Sequence, residues 1–310
     1  MLNAKEGKCA AGDGSVSAIV VNYNAGSFLT ECVRATLPQV DELWIVDNAS
    51  TDGSLDMLSR CFQDEPHLKV IRNEKNLGFA VACNIGSSSA TGKFLLFLNP
   101  DCAMGHDAVA GLLQVLESDP SIGMVGGLLI NWDGTEQGGS RRAVPTPWRS
   151  FVRAFGLYRF ADRWPRLFFD FHLHRQPLPV APIEVEAISG ACMMVKREAV
   201  LDVGLWDQGY FLHCEDLDWC MRLRQKQWKI LFVPTVRISH ALGACSRNRQ
   251  IFVEWHKHKG MMRFYRKFFR HQYPVGLMGL VAIGVWLRFA LLVSYYSARR
   301  IGRALGLVRD

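Results

Sequence analysis

The decisive stretch for the fold is LKVIRNEKNLGFAVACNIGSSSATGKFLLFLNPD, residues 68–101. Its opening, LKVIRN, reads as a short strand. Gly78–Ala90 is a run of small residues without proline and reads as a helix. Phe94–Leu98 is an unbroken apolar run, the pattern of a strand covered on both faces. Strand, helix and strand in succession predict a βαβ unit and two parallel strands. The apolar run stops at Asn99-Pro100-Asp101, where proline shapes a bend and one carboxylate, Asp101, stands at the strand's end.

The same alternation extends outward. Upstream lie SAIVVNYN (17–24) as strand, FLTECVRATL (28–37) as helix, DELWIVDNAS (41–50) as strand and DGSLDMLSRCF (52–62) as helix. Downstream, HDAVAGLLQVLES (106–118) is helical and SIGMVGGLLIN (121–131) extended. VEAISGACMMVKREAVLDVG (185–204) is a strand leading into a helix, EDLDWCMRLRQKQW (215–228) a helix and KILFVPTVRISH (229–240) a late strand. The expected fold class is α/β with a mainly parallel central sheet. In such sheets ligands bind beyond the carboxyl ends of the strands. Asn22 to Asn24, Asp47 to Ser50 and Asn99 to Asp101 then share one edge. Residues 133–182, rich in Pro, Arg and aromatics, interrupt the alternation and read as a long excursion, a mobile loop or lid.

The chain has 310 residues, 49% hydrophobic and 21% charged, which fits a large globular domain with an appendage and excludes wholesale disorder. The net charge of +7 is unevenly spread. From Ala241 to Asp310 there are thirteen Lys/Arg and two acids, so that segment carries +11 and the remainder −4. The nine cysteines are scattered without metal-ligand spacing and suit a reducing compartment, the cytosol. Residues 1–16 lack the apolar core of a signal peptide and read as a loose tail.

Each motif carries two readings. VDNASTDGS (46–54) supplies helix-capping residues, yet capping does not require Asp47, whose carboxylate at a strand tip can accept hydrogen bonds from a nucleobase. NEKNLGFAVACN (73–84) is a glycine turn containing Asn76 and Gly78. No Gly-x-Gly-x-x-Gly follows the first strand, which disfavours a dinucleotide site. Asp101 is either a turn residue or a ligand of Mg²⁺ or Mn²⁺, ions that use few protein carboxylates when phosphate oxygens complete the shell. Glu215, Asp216 and Asp218 suit a helix start by charge alone, but neighbouring carboxylates also raise each other's proton affinity, as a general base requires. His240 is either a core histidine or a further metal ligand.

Taken in order, these motifs resemble glycosyltransferase family two, of the GT-A fold, over Ser17 to Ser246. The resemblance implies that Asn22, Asn24, Asp47, Asn76, Gly78, Asn99 and Asp101 bind a nucleotide-sugar donor. It further implies that Asp101 and His240 hold a divalent metal, that Asp216 is the general base and that Glu215 supports the acceptor site. VVNYN, NLGFAVACNIG, FLNPDC, SGACMMVKREA and YFLHCEDLDWCMRL are similar to bacterial rhamnosyltransferases acting on lipid-linked glycan precursors. That implies dTDP-β-L-rhamnose as donor, a lipid-linked or polysaccharide acceptor, and transfer with inversion. Asn99 stands where the family's motif has its first acid, which implies loose metal binding before the donor arrives. UDP- or GDP-sugar donors, and a non-catalytic membrane-surface protein of the same fold, are the competing readings. A nucleotidyltransferase would want a glycine-rich basic loop in place of NYNAGSF.

Residues 247–310 form the basic region. EWHKHKGMMRFYRKFFRHQYP (254–274) sets Met and aromatics against Lys/Arg at helical spacing. Fourteen uncharged residues follow, Pro274 to Leu287, before Arg288 interrupts. A span needs about twenty apolar residues and tolerates a central arginine poorly. The expectation is amphipathic helices lying in the interface on the cytoplasmic face of the inner membrane, the alternative a helical cap with a solvated basic face. The apolar run argues against nucleic acid as the partner.

Overall fold

The computed structural model describes residues 14–171, 173–241 and 249–304. The expected tail lies almost wholly outside the described residues, as does the 242–248 junction. The first half alternates as the sequence predicts: β1 (Val16–Asn22), α1 (Ser27–Thr36), β2 (Glu42–Asp47), α2 (Ser54–Cys61), β3 (Leu68–Arg72), α3 (Phe79–Ser89) and β4 (Phe94–Leu98). Next come β5 (Cys102–Met104), α4 (Ala108–Glu117), β6 (Ile122–Ile130), β7 (Arg141–Arg142) and α5 (Pro147–Ala154). The chain continues through β8 (Ile183–Glu184), β9 (Ala187–Ile188), β10 (Cys192–Lys196), α6 (Arg197–Val203), α7 (Glu215–Gln225) and β11 (Lys229–His240). It ends in α8 (Gln250–Phe269) and α9 (Val275–Ala304).

The main sheet has the order β3-β2-β1-β4-β10-β6-β11-β5, with β8 added to β11. β3, β2, β1 and β4 are parallel, as are β6 and β11. β10 runs against both its neighbours, and β5 and β8 run against β11, so the second half of the sheet is mixed. β10 is entered directly from the loop at the site edge rather than through a crossover helix, and therefore points away from that edge. Strand alternation divides the apolar run of β4 between two cores. Leu95 and Phe97 join α3, α6, α7 and α8 on one face, while Phe94, Leu96 and Leu98 join α1, α2 and α4 on the other. Phe97, Trp206 and Trp219 pack edge-on or tilted, with centroids 4.3–5.3 Å apart.

The excursion 133–182 is folded in the structure. It holds β7, α5 and two short 3-10 turns, tied by Arg141–Glu136 (2.9 Å) and Arg153–Asp170 (2.7 Å).

The C-terminal helices divide differently from a single region beginning at 247. α8 belongs to the core, with Met262, Phe264, Tyr265 and Phe269 buried. Lys267 Nζ lies 2.6 Å from the fully buried carboxylate of Asp218, and Arg263 pairs with Asp207 at 2.8 Å. α9 runs back along α8 through Trp255–Trp286 (5.3 Å) and through Arg288, whose Nη1 donates to His258 Nε2 at 2.9 Å. Arg288 thus has partners, and the helix continues through it unbroken. Val275–Ile301, with mean hydropathy 2.1, is long and apolar enough to cross a membrane by length and composition.

Candidate active site

The register aligns Asn22 with Asp47 at the carboxyl ends of β1 and β2, and Leu98 with Val20 one strand over. Asp47 is buried. Its Oδ1 accepts from Asn22 Nδ2 at 2.7 Å and its Oδ2 from the Ser50 amide at 3.0 Å. These bonds hold the carboxylate at the strand tip and leave it lone pairs for a further donor. Asn24 adopts a left-handed backbone, and its Oδ1 accepts from the Thr51 amide at 2.8 Å, so it braces the same loop.

Asn76 and Gly78 shape the loop that leads into α3. Asn76 Oδ1 accepts from the Gly78 amide at 2.9 Å. Gly78 has φ +87°, and a Cβ there would stand 2.7 Å from the Phe211 carbonyl oxygen. The glycine therefore lets the α3 end approach the 211–214 turn, where the Phe79 amide donates to that carbonyl at 2.9 Å. Gly260 of α8 closes on the turn from the other side, since a Cβ there would lie 2.7 Å from the His213 carbonyl oxygen. His213 and Cys214 both take left-handed backbones, which aims α7's first turn back toward the sheet edge.

That first turn carries three carboxylates with three duties. Asp218 is fully buried among Arg222 Nε (2.7 Å), Lys267 Nζ (2.6 Å) and Tyr210 Oη (3.2 Å), and is structural. Glu215 is buried with Oε2 unpartnered, and burial together with the charge of Asp216 pushes its pKa up to about 8. At neutral pH it retains its proton. Asp216 ion-pairs through Oδ2 with Arg142 of β7, and the same oxygen accepts from the Gly190 amide at 3.1 Å. The neighbouring Ala191 carbonyl accepts from the Asn99 amide at 2.9 Å. Two residues of one loop therefore bridge Asp216 to the Asn-Pro-Asp bend.

At that bend Asp101 faces His240, with Oδ1 3.3 Å from Nε2, both buried. Gln137 fixes the imidazole tautomer. Its Nε2 donates to Asn131 Oδ1 (3.1 Å) and the His240 carbonyl (3.3 Å), which leaves its Oε1 to accept from His240 Nδ1 at 2.5 Å. His240 Nε2 is then a lone pair without a hydrogen-bond partner, facing a carboxylate. Such a pair repels unless a proton or cation lies between, and it offers the nitrogen and oxygen donors that divalent metals take. Cys102, within 4.8 Å of both, is a poor third ligand. Burial raises its thiol pKa, and its Sγ donates to the Ala191 carbonyl at 3.4 Å.

The structure thus gathers Asn22, Asp47, Asn99, Asp101, Asp216 and His240 along one edge, with Glu215 beneath and Asn24, Asn76 and Gly78 shaping loops. Four participants escape a reading of the sequence. Asn48, buried, accepts from the Asn73 side-chain Nδ2 on Oδ1 (2.9 Å) and donates through its own Nδ2 to the Gly78 carbonyl (3.2 Å). Gln137, Arg142 and Gly190 lie far in sequence from the groups they hold. Only Gly190 carries a local signal, in the Ser-Gly-Ala that precedes β10.

Residues 17–204 match the glycosyl transferase family 2 profile. The N-acetylglucosaminyl-diphospho-decaprenol L-rhamnosyltransferase of Mycobacterium tuberculosis is 27% identical over 237 residues, 72% of this chain and 74% of that protein. The rhamnosyltransferase WbbL of Escherichia coli is 26% identical over 176 residues, 53% of this chain and 58% of its own. Among solved structures, mannosyltransferase PcManGT from Pyrobaculum calidifontis, in complex with GDP-Man and Mn²⁺, superposes with TM-score 0.57 at 17% identity, covering 96% of this chain and 81% of that one. GalNAc-T7 with UDP, GalNAc and Mn²⁺ gives TM-score 0.56 at 21% identity, covering 73% and 44%. These likenesses show the GT-A fold. With most of its length matched, the chain belongs to glycosyl transferase family 2.

Proposed function

We propose that the chain transfers L-rhamnose from dTDP-β-L-rhamnose to a lipid-linked or polysaccharide acceptor, with inversion, in cell-surface glycan synthesis. The observation that carries the reading is the Gly190–Ala191 bridge, which sets Asp216 beside the bend that holds Asp101. Asp216 accepts the proton of the acceptor hydroxyl as that oxygen attacks the anomeric carbon and the bond from that carbon to the diphosphate oxygen breaks, releasing dTDP. Arg142 fixes the orientation of the receiving carboxylate, and Glu215, retaining its proton, adds no second charge beside it. Asp47 and Asn22 hold the base of the nucleotide. Asp101 and His240 Nε2 would hold a divalent metal, Mg²⁺ or Mn²⁺, which when bound would supply positive charge toward the donor's diphosphate. Closure of the 133–182 segment over the donor excludes water.

α9 supports a peripheral membrane location. It packs against α8 through Trp286 and Arg288, and α8 carries Lys257, Lys259 and Arg263. Inserting the pair across a bilayer would bury those charges, so α9 lies in the interface with Leu280, Ile283, Leu287 and Leu291 outward. The scattered cysteines favour the cytoplasmic face.

Donor hydrolysis and thermal stabilisation with dTDP-rhamnose, UDP-sugars and GDP-sugars test the proposal. The expected result is a response to dTDP-rhamnose that Asp216→Asn keeps in binding and loses in turnover. A response confined to UDP- or GDP-sugars replaces the donor assignment, and binding without turnover by the wild-type protein replaces the enzyme.

A further inference from the structure

The excursion exposes more apolar surface than a loop over a soluble domain should. Within residues 148–167, six large side chains are at least 43% exposed: Trp148, Phe151, Phe155, Phe160, Trp164 and Leu167. They are gathered rather than scattered. Trp148 stacks on Phe151 (5.5 Å) and Phe151 meets Phe155 (4.6 Å), forming a ladder along α5. Trp148 Nε1 donates to the Leu167 carbonyl at 2.7 Å, which folds the end of the stretch back onto its beginning. A contiguous exposed apolar patch of this kind marks a contact surface.

Its charge names the partner. Arg159, Arg163 and Arg166 are exposed on the same stretch and form no ion pair among the described residues, while Asp162 is the one exposed acid there. Arg163 lies over the Trp164 ring at 5.5 Å. Aromatic rings interleaved with arginines that have no carboxylate partner match the boundary of an anionic bilayer, where the rings enter the headgroup zone and the guanidiniums meet phosphate. The patch also adjoins α8 and the corner that leads into α9. A cavity of about 500 Å³ is lined by Trp148, Arg166 and Leu167 from the patch and by Tyr273 from the α8–α9 corner. Tyr265 of α8 donates to Ser150 Oγ of α5 at 2.6 Å.

We infer that residues 148–167 form a second membrane-contacting surface that seats on anionic phospholipid independently of α9. Arg142 lies in the same excursion, six residues before Trp148, so the excursion that carries this surface also reaches Asp216. A bilayer held on this face brings an acceptor that remains in the membrane toward the catalytic carboxylate. The inference rests on residues other than those of α9, although its consequence for the acceptor rests on the function proposed above.

The test is hydrogen exchange of the full chain with vesicles of phosphatidylcholine alone or with phosphatidylglycerol, alongside the variant Phe155→Glu/Phe160→Glu. Anionic vesicles are expected to slow exchange across 148–167 as well as in α9. The double variant should lose the first protection, keep the second and partition about tenfold more weakly. Unchanged exchange over 148–167 in the presence of bound anionic vesicles overturns the inference, as does wild-type partition of the double variant. Protection of 148–167 with α9 unaffected upholds it and instead overturns the interfacial placement of α9.

Discussion

Arg142, in the two-residue strand β7, ion-pairs with Asp216, the first-turn carboxylate of a helix 74 positions later in the chain. Burial opposes the guanidinium charge, but the charge and hydrogen bond of Asp216, together with smaller neighbouring contributions, leave the Arg142 pKa raised. The pair ties the excursion to the carboxylate proposed as base. Arg142→Gln is expected to lower kcat by roughly ten- to a hundredfold with the donor KM unchanged, because it loosens the base and not the donor. Steady-state kinetics with the donor varied decide this. A KM effect without a kcat effect would make Arg142 a donor-binding residue instead.

Asp216→Asn removes the proposed proton acceptor and keeps the shape. Turnover should fall about 10³-fold while the nucleotide-sugar still raises the melting temperature. Near-normal transfer by this variant would end the assignment of Asp216 as base.

The lone pair of His240 depends on Gln137. Gln137→Leu should weaken Mn²⁺ binding by roughly ten- to a hundredfold, measured by calorimetry with dTDP present, because the ring loses the partner that fixes its tautomer. Without nucleotide, metal affinity should be low even in the wild-type protein, since Asn99 contributes no charge. Tight Mn²⁺ binding to the ligand-free protein would contradict the two-residue site.

Two buried glutamates titrate in opposite directions. Burial works to raise the pKa of Glu42, but bonds from Lys69, Ser17 and Thr91 hold it at about 2. Its stabilisation is complete above its ordinary value near 4.5 and is lost as pH falls toward about 2. Glu215 binds its proton more tightly folded than unfolded, so stability falls as pH rises from 4.5 through about 8. Glu42→Gln should therefore destabilise by about 1–3 kcal/mol at pH 7 and converge on wild type in strong acid. Glu215→Gln should be more stable than wild type at pH 9 and indistinguishable below pH 4 in thermal melts (pH values roughly bracketing the two titrations).

The place of α8 is tested by truncation. A chain ending at Tyr273 keeps Phe264, Tyr265 and the Lys267–Asp218 pair, and should unfold cooperatively. A chain ending at Arg249 leaves Asp218 without Lys267, a loss on the order of 3–5 kcal/mol before the lost packing is counted. Circular dichroism melts separate the two. Equal stability would return α8 to the status of an appendage.

The βαβ half of the fold was legible because its signals are local: β4 announces itself as an apolar run, and α3 as small residues between two turns. Asp47, Asp101 and Asp216 were legible for the same reason, since each stands where a regular element begins or ends. The direction of β10 was not, because strand polarity is set by where the chain re-enters the sheet. α8 read as a surface helix because its basic residues are conspicuous, whereas Lys267 and Arg263 turn toward acids supplied by residues 207 and 218. Gln137 and Arg142 lie in the least periodic part of the chain, and the groups they serve are 103 and 74 residues away.

The 211–214 turn is wedged between Gly78 and Gly260, with carbonyl oxygens on both sides standing where a methyl group would go. For anyone building chimaeras, this makes the C-terminal helices poor interchangeable cassettes. A graft from a relative with a larger residue at the position of Gly260 would shift the turn and carry the α7 carboxylates away from the sheet edge. Swaps that keep both glycines, and the turn between them, are the ones expected to leave the α7 carboxylates where they stand.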